Sequence, residues 1–314
     1  MTVVRTPQAS GIIGAAPAVV ALLVAVLLAG CAAPTGGTPS STGGAASVLA
    51  TFRPVDAGTT TASLGADAVV VRARLRSLGV GSDTATARRG TVVVSGPRPL
   101  PGGAAALAAT GDFAMRSVLC LAPPYRSPAA GGPLPSGCSS PRYSLEAPNL
   151  TVDTTTGNSN VAAIAPDPAL APYPSSSAGD DDAHPTGTVL VPLVGGSGQR
   201  YLLGPVLLTS SVVARDGARA VFEPDVWLVD VTLTAAGAVK WDTVAQRYFH
   251  QLLAMVVDGR VLSAPLTEPN QATFASFGGR VQVSGTFGRA TAEHLAADLD
   301  SGPLPSPLAV DGRR

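Results

Sequence analysis

The segment Gln251–Pro265 reads QLLAMVVDGRVLSAP and contains two apolar runs on either side of one turn. Its first run, Gln251–Val257, is rich in apolar and β-branched residues, which is typical of a strand. Asp258-Gly259 follows, and this pair favours a type I′ turn because both central residues of that turn need a positive φ. The second run ends at Pro265, which cannot donate a hydrogen bond to a sheet. The segment therefore predicts a β-hairpin.

Further strands and helices are predicted on both sides of this hairpin. Val226–Leu233 has the clearest strand pattern in the chain, and Thr234 after it is placed as the N-cap of a helix. Arg280–Ser284 predicts another strand, and a last helix is expected to end at Gly302. Residues 188–308 are therefore expected to form one α+β domain. The apolar face of the first helix is predicted at helical spacing: Ala238, Trp241, Ala245 and Tyr248.

An earlier stretch, residues 47–121, alternates between strand and helix patterns. Val48–Arg53, Thr91–Ser95 and Phe113–Cys120 predict strands. After the first strand, apolar residues recur at helical spacing until Gly79, and a short Ala-rich helix follows the second strand. This alternation predicts a small sheet with helices on one face.

These segments resemble the first large extracytoplasmic domain of SecD, a membrane protein that assists the Sec translocase. Residues 258–265, DGRVLSAP, are similar to the Asp-Gly-Lys-Val-x-Ser-Ala-Pro pattern of that family. Val281–Phe287 and Leu299–Pro305 are similar to the family's closing strand and helix. A weaker likeness links Arg72–Val80 to the helix of the family's base subdomain.

The resemblance implies an α+β protein with a ferredoxin-like base and an α+β head, the SecDF P1 head subdomain. It implies a head that binds emerging unfolded polypeptide, with Sec translocase components as partners. Two departures are expected: the family continues into membrane helices that use the proton gradient, whereas this chain stops at Arg314, and the strand that closes the family's base is missing. The expected division is a base-like part at 47–121, an insertion at 122–187, a head at 188–308 and a tail at 309–314.

Residues 1–30 predict a lipoprotein signal peptide. Arg5 precedes an apolar run from Gly11 to Leu28, and the following Ala29-Gly30-Cys31 completes a lipobox. Cleavage leaves the Cys31 thiol to accept lipid, and two or three acyl chains of the palmitate type anchor a protein stably. Residues 31–46 predict a flexible tether. We expect lipid anchoring at the extracytoplasmic face of the cell membrane; an ordinary signal peptide or a transmembrane helix is the alternative.

Two other cysteines, Cys120 and Cys138, remain after Cys31 is assigned to lipid. In an oxidising compartment an even remainder favours a disulfide, with two free thiols as the alternative. Cys138 lies in the insertion 122–187, which is dominated by Pro, Gly, Ser and Thr and is expected to contain little regular structure.

No catalytic, cofactor or metal pattern is present, and we expect a protein that is not an enzyme. The chain has 21 basic and 21 acidic residues and a net charge of zero, which argues against a nucleic-acid partner. The turn Asp258-Gly259-Arg260 has a functional interpretation, but turn chemistry and solvation explain it as well. Trp227 and Trp241 are interpreted as core anchors rather than ligand platforms.

Two functions remain open at this point. The first is a lipid-anchored binding module that assists Sec-dependent export by holding emerging polypeptide. The second is an envelope interaction protein that reuses the head for an unrelated partner. The SecD-like head and the lipid anchor favour the first, and the family pattern of the head is carried here by Asp258, Gly259, Arg260, Ser263 and Pro265. The missing base strand and the long low-complexity insertion favour the second.

Overall fold

The computed structural model describes residues 47–311, except 82, 98, 101, 139–151, 154–157, 160–165, 177–184, 196–197, 269–270 and 286. In chain order the strands are β1 (Ser47–Pro54), β2 (Thr84–Arg88), β3 (Thr91–Gly96), β4 (Phe113–Ala122), β5 (Val152–Asp153), β6 (Asn158–Ser159), β7 (Val189–Pro192), β8 (Arg200–Thr209), β9 (Val213–Glu223), β10 (Val226–Leu233), β11 (Leu253–Val257), β12 (Arg260–Ser263), β13 (Arg280–Ser284) and β14 (Leu308–Val310). The α-helices are α1 (Thr61–Ser77), α2 (Ala104–Leu107), α3 (Ala235–Arg247) and α4 (Arg289–Ser301).

The two ends of the described chain meet in one four-stranded antiparallel sheet, which forms the base. Its strand order is β14-β1-β3-β2. The elements β1, α1, β2, β3, α4 and β14 give the βαββαβ order of a ferredoxin-like fold, with the rest of the chain inserted between β3 and α4. The expectation that the closing strand is missing is therefore wrong, because Leu308–Val310 pairs with Phe52–Pro54. The same pairing places part of the expected tail, 309–314, in the base sheet.

Helix α1 covers the base sheet through the apolar face that its sequence predicts. Thr60 caps its first turn, accepting a hydrogen bond from Ser63 N at 3.1 Å. Burial of each Leu or Val side chain on this face stabilises the fold by roughly 1.5–3 kcal/mol. The buried apolar residues of α1 are Leu64, Ala68, Val71 and Leu75.

A five-stranded sheet of order β12-β11-β4-β8-β7 closes on itself. Its two edge strands meet where Val194 N donates to Val261 O at 2.9 Å, beside a parallel bridge between Leu193 and Val261. The apolar interior of this small barrel includes Val118, Leu203 and Ala254. Strand β4, which the sequence assigned to the base, is the central strand of this barrel, so the predicted boundary after residue 121 falls at the end of a barrel strand.

A three-stranded sheet of order β13-β10-β9 packs with α3 and α4 against the outside of the barrel. Thr234 caps α3 as predicted, accepting from Gly237 N at 2.9 Å. Helix α4 contacts α1 on one side and β9 and β10 on the other. It therefore connects the base to the head, and residues Ser47 to Asp311 lie in one compact unit.

A disulfide and several hydrogen bonds, among them those of Arg200, fasten the described parts of the insertion to the barrel. Cys120 in β4 and Cys138 form a disulfide with a Cα–Cα distance of 5.8 Å. The buried guanidinium of Arg200 donates to Pro123 O at 2.8 Å and to Leu170 O at 2.9 Å, and it also donates to Tyr173 O. The regular structure described here is sparse, as the composition predicts: the short pair β5–β6 and a 3-10 turn at Pro168–Leu170.

Candidate functional site at the base–head junction

The predicted hairpin is formed by β11 and β12, with Val257 paired to Arg260. Asp258 and Gly259 have φ values of 48° and 68°, so both central residues adopt the left-handed conformation that the type I′ turn requires. An Asp-Gly pair tolerates this geometry at low cost, since glycine has no Cβ and aspartate is among the residues enriched there.

Asp258 does more than form the turn, because it also holds the start of β4. Its Oδ1 accepts a hydrogen bond from Asp112 N at 2.9 Å, and its own N donates to Asp112 O at 3.1 Å. Asp112 lies directly before β4, where the chain passes from the base to the barrel. The interpretation of this turn as solvated holds for Arg260, which is exposed, but not for the half-buried Asp258.

Arg74 of α1 is the central group of the junction, and its side chain is 1% exposed. Its guanidinium donates to the carbonyl oxygens of Leu107 at 3.1 Å and Thr110 at 3.0 Å, and also to that of Ala109. Its Nε lies 3.1 Å from Asp298 Oδ1 of α4. One cation thus joins the first helix, the segment that leads to β4, and the helix that returns from the head.

Burial dominates the electrostatics of this pair. It lowers the pKa of Arg74, although Asp298 and Asp258 favour the charged guanidinium. It raises the pKa of Asp298 to about 6, and the attraction of Arg74 offsets this only in part. A buried ion pair of this kind stabilises little by itself, yet removing one partner leaves an unpaired buried charge.

Asp300, two residues further along α4, links the same helix to the head sheet. Its Oδ1 accepts from Ala218 N of β9 at 2.8 Å, and Ser77 Oγ of α1 donates to its Oδ2 at 3.3 Å. Burial raises the pKa of Asp300, and these hydrogen bonds offset part of that shift. Sequence reasoning missed Arg74, Asp298 and Asp300. Their sequence contains one signal of burial: each charged residue lies on a helix face whose other residues are mostly apolar.

Ser263 and Pro265, the remaining residues of the family pattern, belong to the packing of the barrel. Ser263 is 3% exposed, and its Oγ has no hydrogen-bond partner among the described residues. Pro265 O accepts from Leu253 N at 3.1 Å. Pro265 also lines an apolar cavity of about 10 Å³, far below the size of a small-molecule site. The other lining residues are Met115, Trp241, Ala245, Leu253, Met255, Thr267 and Phe277.

The two tryptophans differ in their surroundings. Trp241 is 5% exposed and packs edge-on against Phe277, with ring centroids 6.1 Å apart, so it is a core anchor as predicted. Trp227 is half-buried at the margin of the core and pairs with Phe222, which is 58% exposed, at a centroid distance of 5.3 Å. The prediction of a core anchor therefore holds only in part for Trp227.

The remaining predicted residues fall partly outside the described chain. Cys31, the signal peptide at 1–30 and the tether at 31–46 all lie outside it. Within the described residues, no group of three or more His, Cys, Asp or Glu side chains is placed to hold a metal ion. None of the helices in this part of the chain is long and apolar enough to cross a membrane.

Comparison with known proteins identifies the head. Residues 189–306 match the family model of the SecDF P1 head subdomain. This part of the chain is SecD-like. A Protein translocase subunit SecD from Magnetococcus marinus is 37% identical over 83 residues, and a Protein translocase subunit SecDF from Thermus thermophilus is 39% identical over 112 residues. These alignments cover 26% and 34% of this chain, but only 15% and 14% of those relatives.

Two solved structures are also similar to the SecD-like chain. One is described as a membrane component SecDF that enhances protein export; it is 22% identical with a TM-score of 0.49 and covers 84% of this chain and 98% of that one. The other, SecDF in a super-membrane-facing form, is 21% identical with a TM-score of 0.49, covering 83% and 29%.

Proposed function

We propose that the chain is an extracytoplasmic, lipid-anchored protein whose SecD-like head binds emerging polypeptide and assists Sec-dependent export. The observation that carries this proposal is the match of residues 189–306 to the SecDF P1 head subdomain. The two aligned relatives are subunits of protein translocases. The lipobox ending at Cys31 supplies the anchor in this proposal, in place of a membrane-spanning helix.

The mode of action in this proposal is binding without catalysis. The apolar cavity that Pro265 and Trp241 line has no ionisable side chain in its wall. The charged groups of the junction bond to backbone atoms or to one another: Arg74 to Thr110 O and Asp298, and Asp258 to Asp112 N. These groups therefore support a role in holding the head on the base.

A second candidate function is an envelope interaction protein that has reused the head for an unrelated partner. The observation that favours it is the fastening of the insertion to the barrel by the Cys120–Cys138 disulfide and by Arg200. Fastening orders part of a segment whose composition would otherwise leave it unstructured, which is useful if the segment presents a surface.

The proposed function is tested by binding of the purified full chain to a secretory protein that has been reduced and carboxymethylated so that it cannot fold. We expect binding to this unfolded form and much weaker binding to the same protein when folded. Equal affinity for both forms, or binding to neither, would contradict a role in holding emerging polypeptide.

A further inference from the structure

Strand β9 is the terminal strand of the three-stranded head sheet, and the fold leaves part of its outer edge open. The strand order is β13-β10-β9, so β9 pairs with β10 on one side, and no other described strand pairs with its second side. An edge strand of this kind presents backbone N–H and C=O groups to which a further strand can bond.

The register of the ladder shows which residues present these groups. The two-residue turn Pro224-Asp225 joins β9 to β10, so Glu223 and Val226 form the hydrogen-bonded pair that closes the hairpin. Bonded and non-bonded pairs alternate along an antiparallel ladder. Phe222 and Ala220 therefore direct their backbone N–H and C=O groups away from β10.

The open part of the edge is short, because both of its ends are closed. At one end Ala218 N donates to Asp300 Oδ1 of α4 at 2.8 Å, which agrees with the outward direction of that N–H. At the other end Pro224 has no N–H. Within the described chain, no bond outside the β9–β10 ladder reaches the backbone groups of Ala220 or Phe222. We define these two residues as the β9 edge.

The β9 edge carries an exposed aromatic side chain. Phe222 is 58% exposed, and its ring centroid lies 5.3 Å from that of Trp227, its partner in the ladder. In an added strand, the residue opposite Phe222 has its side chain on the same face and within reach of this ring. An apolar residue is therefore favoured at that position.

The charges near the β9 edge have both signs and select no charged partner. Glu223 is exposed, but its side chain lies on the face opposite to Phe222. On the face of Phe222, the Arg289 guanidinium lies 5.8 Å from the centroid of the Trp227 ring, and its Nε is 2.7 Å from Glu293 Oε1. Recognition at this edge therefore depends on backbone groups and on the ring.

We propose that the β9 edge binds a short extended segment of unfolded polypeptide as an additional strand, with an apolar residue opposite Phe222. Backbone hydrogen bonds supply contacts that do not depend on sequence, and the ring supplies the apolar preference. A second copy of the chain could pair only through the same two residues, a contact far smaller than the roughly 1,200 Å² that a stable interface buries. This inference rests on the proposed function and specifies where the head binds and in which conformation.

The test is fluorescence anisotropy of the purified full chain with a labelled peptide of alternating leucine and serine. The peptide is compared with two N-methylated forms of the same sequence, one methylated on every leucine and the other on every serine. Only one of these two sets of N–H groups faces β9 in an added strand. Methylation of that set should raise Kd about tenfold, and methylation of the other should change it little. Equal effects of the two sets, or no effect of either, would overturn the inference.

Two variants of the chain test the same contact from the other side. Ala220→Pro removes an outward N–H and leaves the ladder with β10 intact, since proline is tolerated on edge strands. Phe222→Ser removes the exposed ring. Each is expected to raise Kd about tenfold. The matched control is Val226→Ser, which changes a 51% exposed side chain on the opposite face of the same hairpin and should bind like the wild type.

Circular dichroism checks the fold of each variant, and if Ala220→Pro does not fold, Phe222→Ser and the methylated peptides decide. If the folded variants bind both the peptide and a carboxymethylated secretory protein as tightly as the wild type, the inference is wrong and the proposed function stands. If the wild type binds no unfolded polypeptide, both fail. A concentration-dependent dimer that Phe222→Ser dissociates would also overturn the inference, because the β9 edge would then join copies of this chain.

Discussion

Asp298 is the ionisable residue whose environment makes the clearest prediction about stability and pH. Burial raises its pKa in the folded state to about 6, whereas the pKa of an aspartate in an unfolded chain is about 3.9. The folded state therefore binds this proton more tightly than the unfolded state. The contribution of Asp298 to stability is greatest below about pH 4 and is lost as the pH rises through about 6.

We expect Asp298→Asn to remove this dependence. Between pH 4 and pH 7, Asp298 should lower the free energy of unfolding of the wild type by roughly 2 kcal/mol, and the variant should lack that change. The measurement is urea unfolding at several pH values, reported as the difference between wild type and variant. Asp225→Asn, at an exposed turn, is the control and should follow the wild type. A variant curve parallel to the wild-type curve through this range would contradict the buried titration of Asp298.

At the scale of single elements, two helical glycines are expected to respond in opposite ways to the same change. Gly237 lies in the first turn of α3, and a Cβ there would collide with the carbonyl oxygen of Val212. Gly65 in α1 has nothing within 4 Å of the same added atom. Gly65→Ala should therefore stabilise the protein by about 1 kcal/mol, as helix propensity alone predicts, whereas Gly237→Ala should destabilise it. Thermal unfolding measures both, and stabilisation by Gly237→Ala would contradict this packing of α3.

The disulfide is the second element with a measurable contribution. Replacing Cys120 and Cys138 together by serine should lower the free energy of unfolding by about 3 kcal/mol, because the unfolded chain regains the freedom of the closed loop. The described segment after β4 should also become sensitive to protease. Treatment of the wild type with reductant is expected to reproduce both effects, while the reductant should leave the double variant unchanged. Equal stability of the oxidised and reduced wild type would contradict this role.

Local patterns predicted most elements but few of their partners. The β11–β12 hairpin, the Thr234 cap and the apolar face of α1 were predictable because each depends on residues close in sequence. Strand β4 was predicted as a strand but assigned to the wrong sheet, since it is buried on both faces and its sequence does not indicate which strands flank it. Strand β14 was missed because it has three residues and follows Pro305-Ser306-Pro307.

The contacts of the candidate site were also not predictable from local sequence patterns. The turn at Asp258 was identified from its sequence, but its hydrogen bonds to Asp112 join residues 146 positions apart. Arg74 and Asp298 are likewise brought together only when α4 returns from the head to the base. A pattern along the chain cannot show such contacts, because they depend on how separate elements pack.

At the scale of the whole molecule, base and head are expected to unfold together. Both tryptophans report on the head, and α4 with Arg74 connects the head to the base. Arg74→Lys should lower the free energy of unfolding by about 3 kcal/mol or more, because one ammonium group cannot replace the several hydrogen bonds of the guanidinium. Arg76→Lys, at an exposed position on the same helix, is the matched control and should change the free energy of unfolding little.

Two probes measure this coupling: tryptophan fluorescence for the head and far-ultraviolet circular dichroism for the whole fold. In the wild type the two unfolding curves should coincide. In Arg74→Lys the fold should be less stable, and the two transitions should separate if the junction is the main connection. Two well-separated transitions in the wild type would contradict a base and head that fold as one unit.

The most direct test of the proposed function is crosslinking of the tagged full chain in intact cells, followed by mass spectrometry of the attached proteins. A SecD-like head that holds emerging polypeptide predicts recovery of Sec translocase components and partly exported chains. Recovery of envelope or cell-wall proteins alone would contradict a role in export and would favour a head reused for another partner.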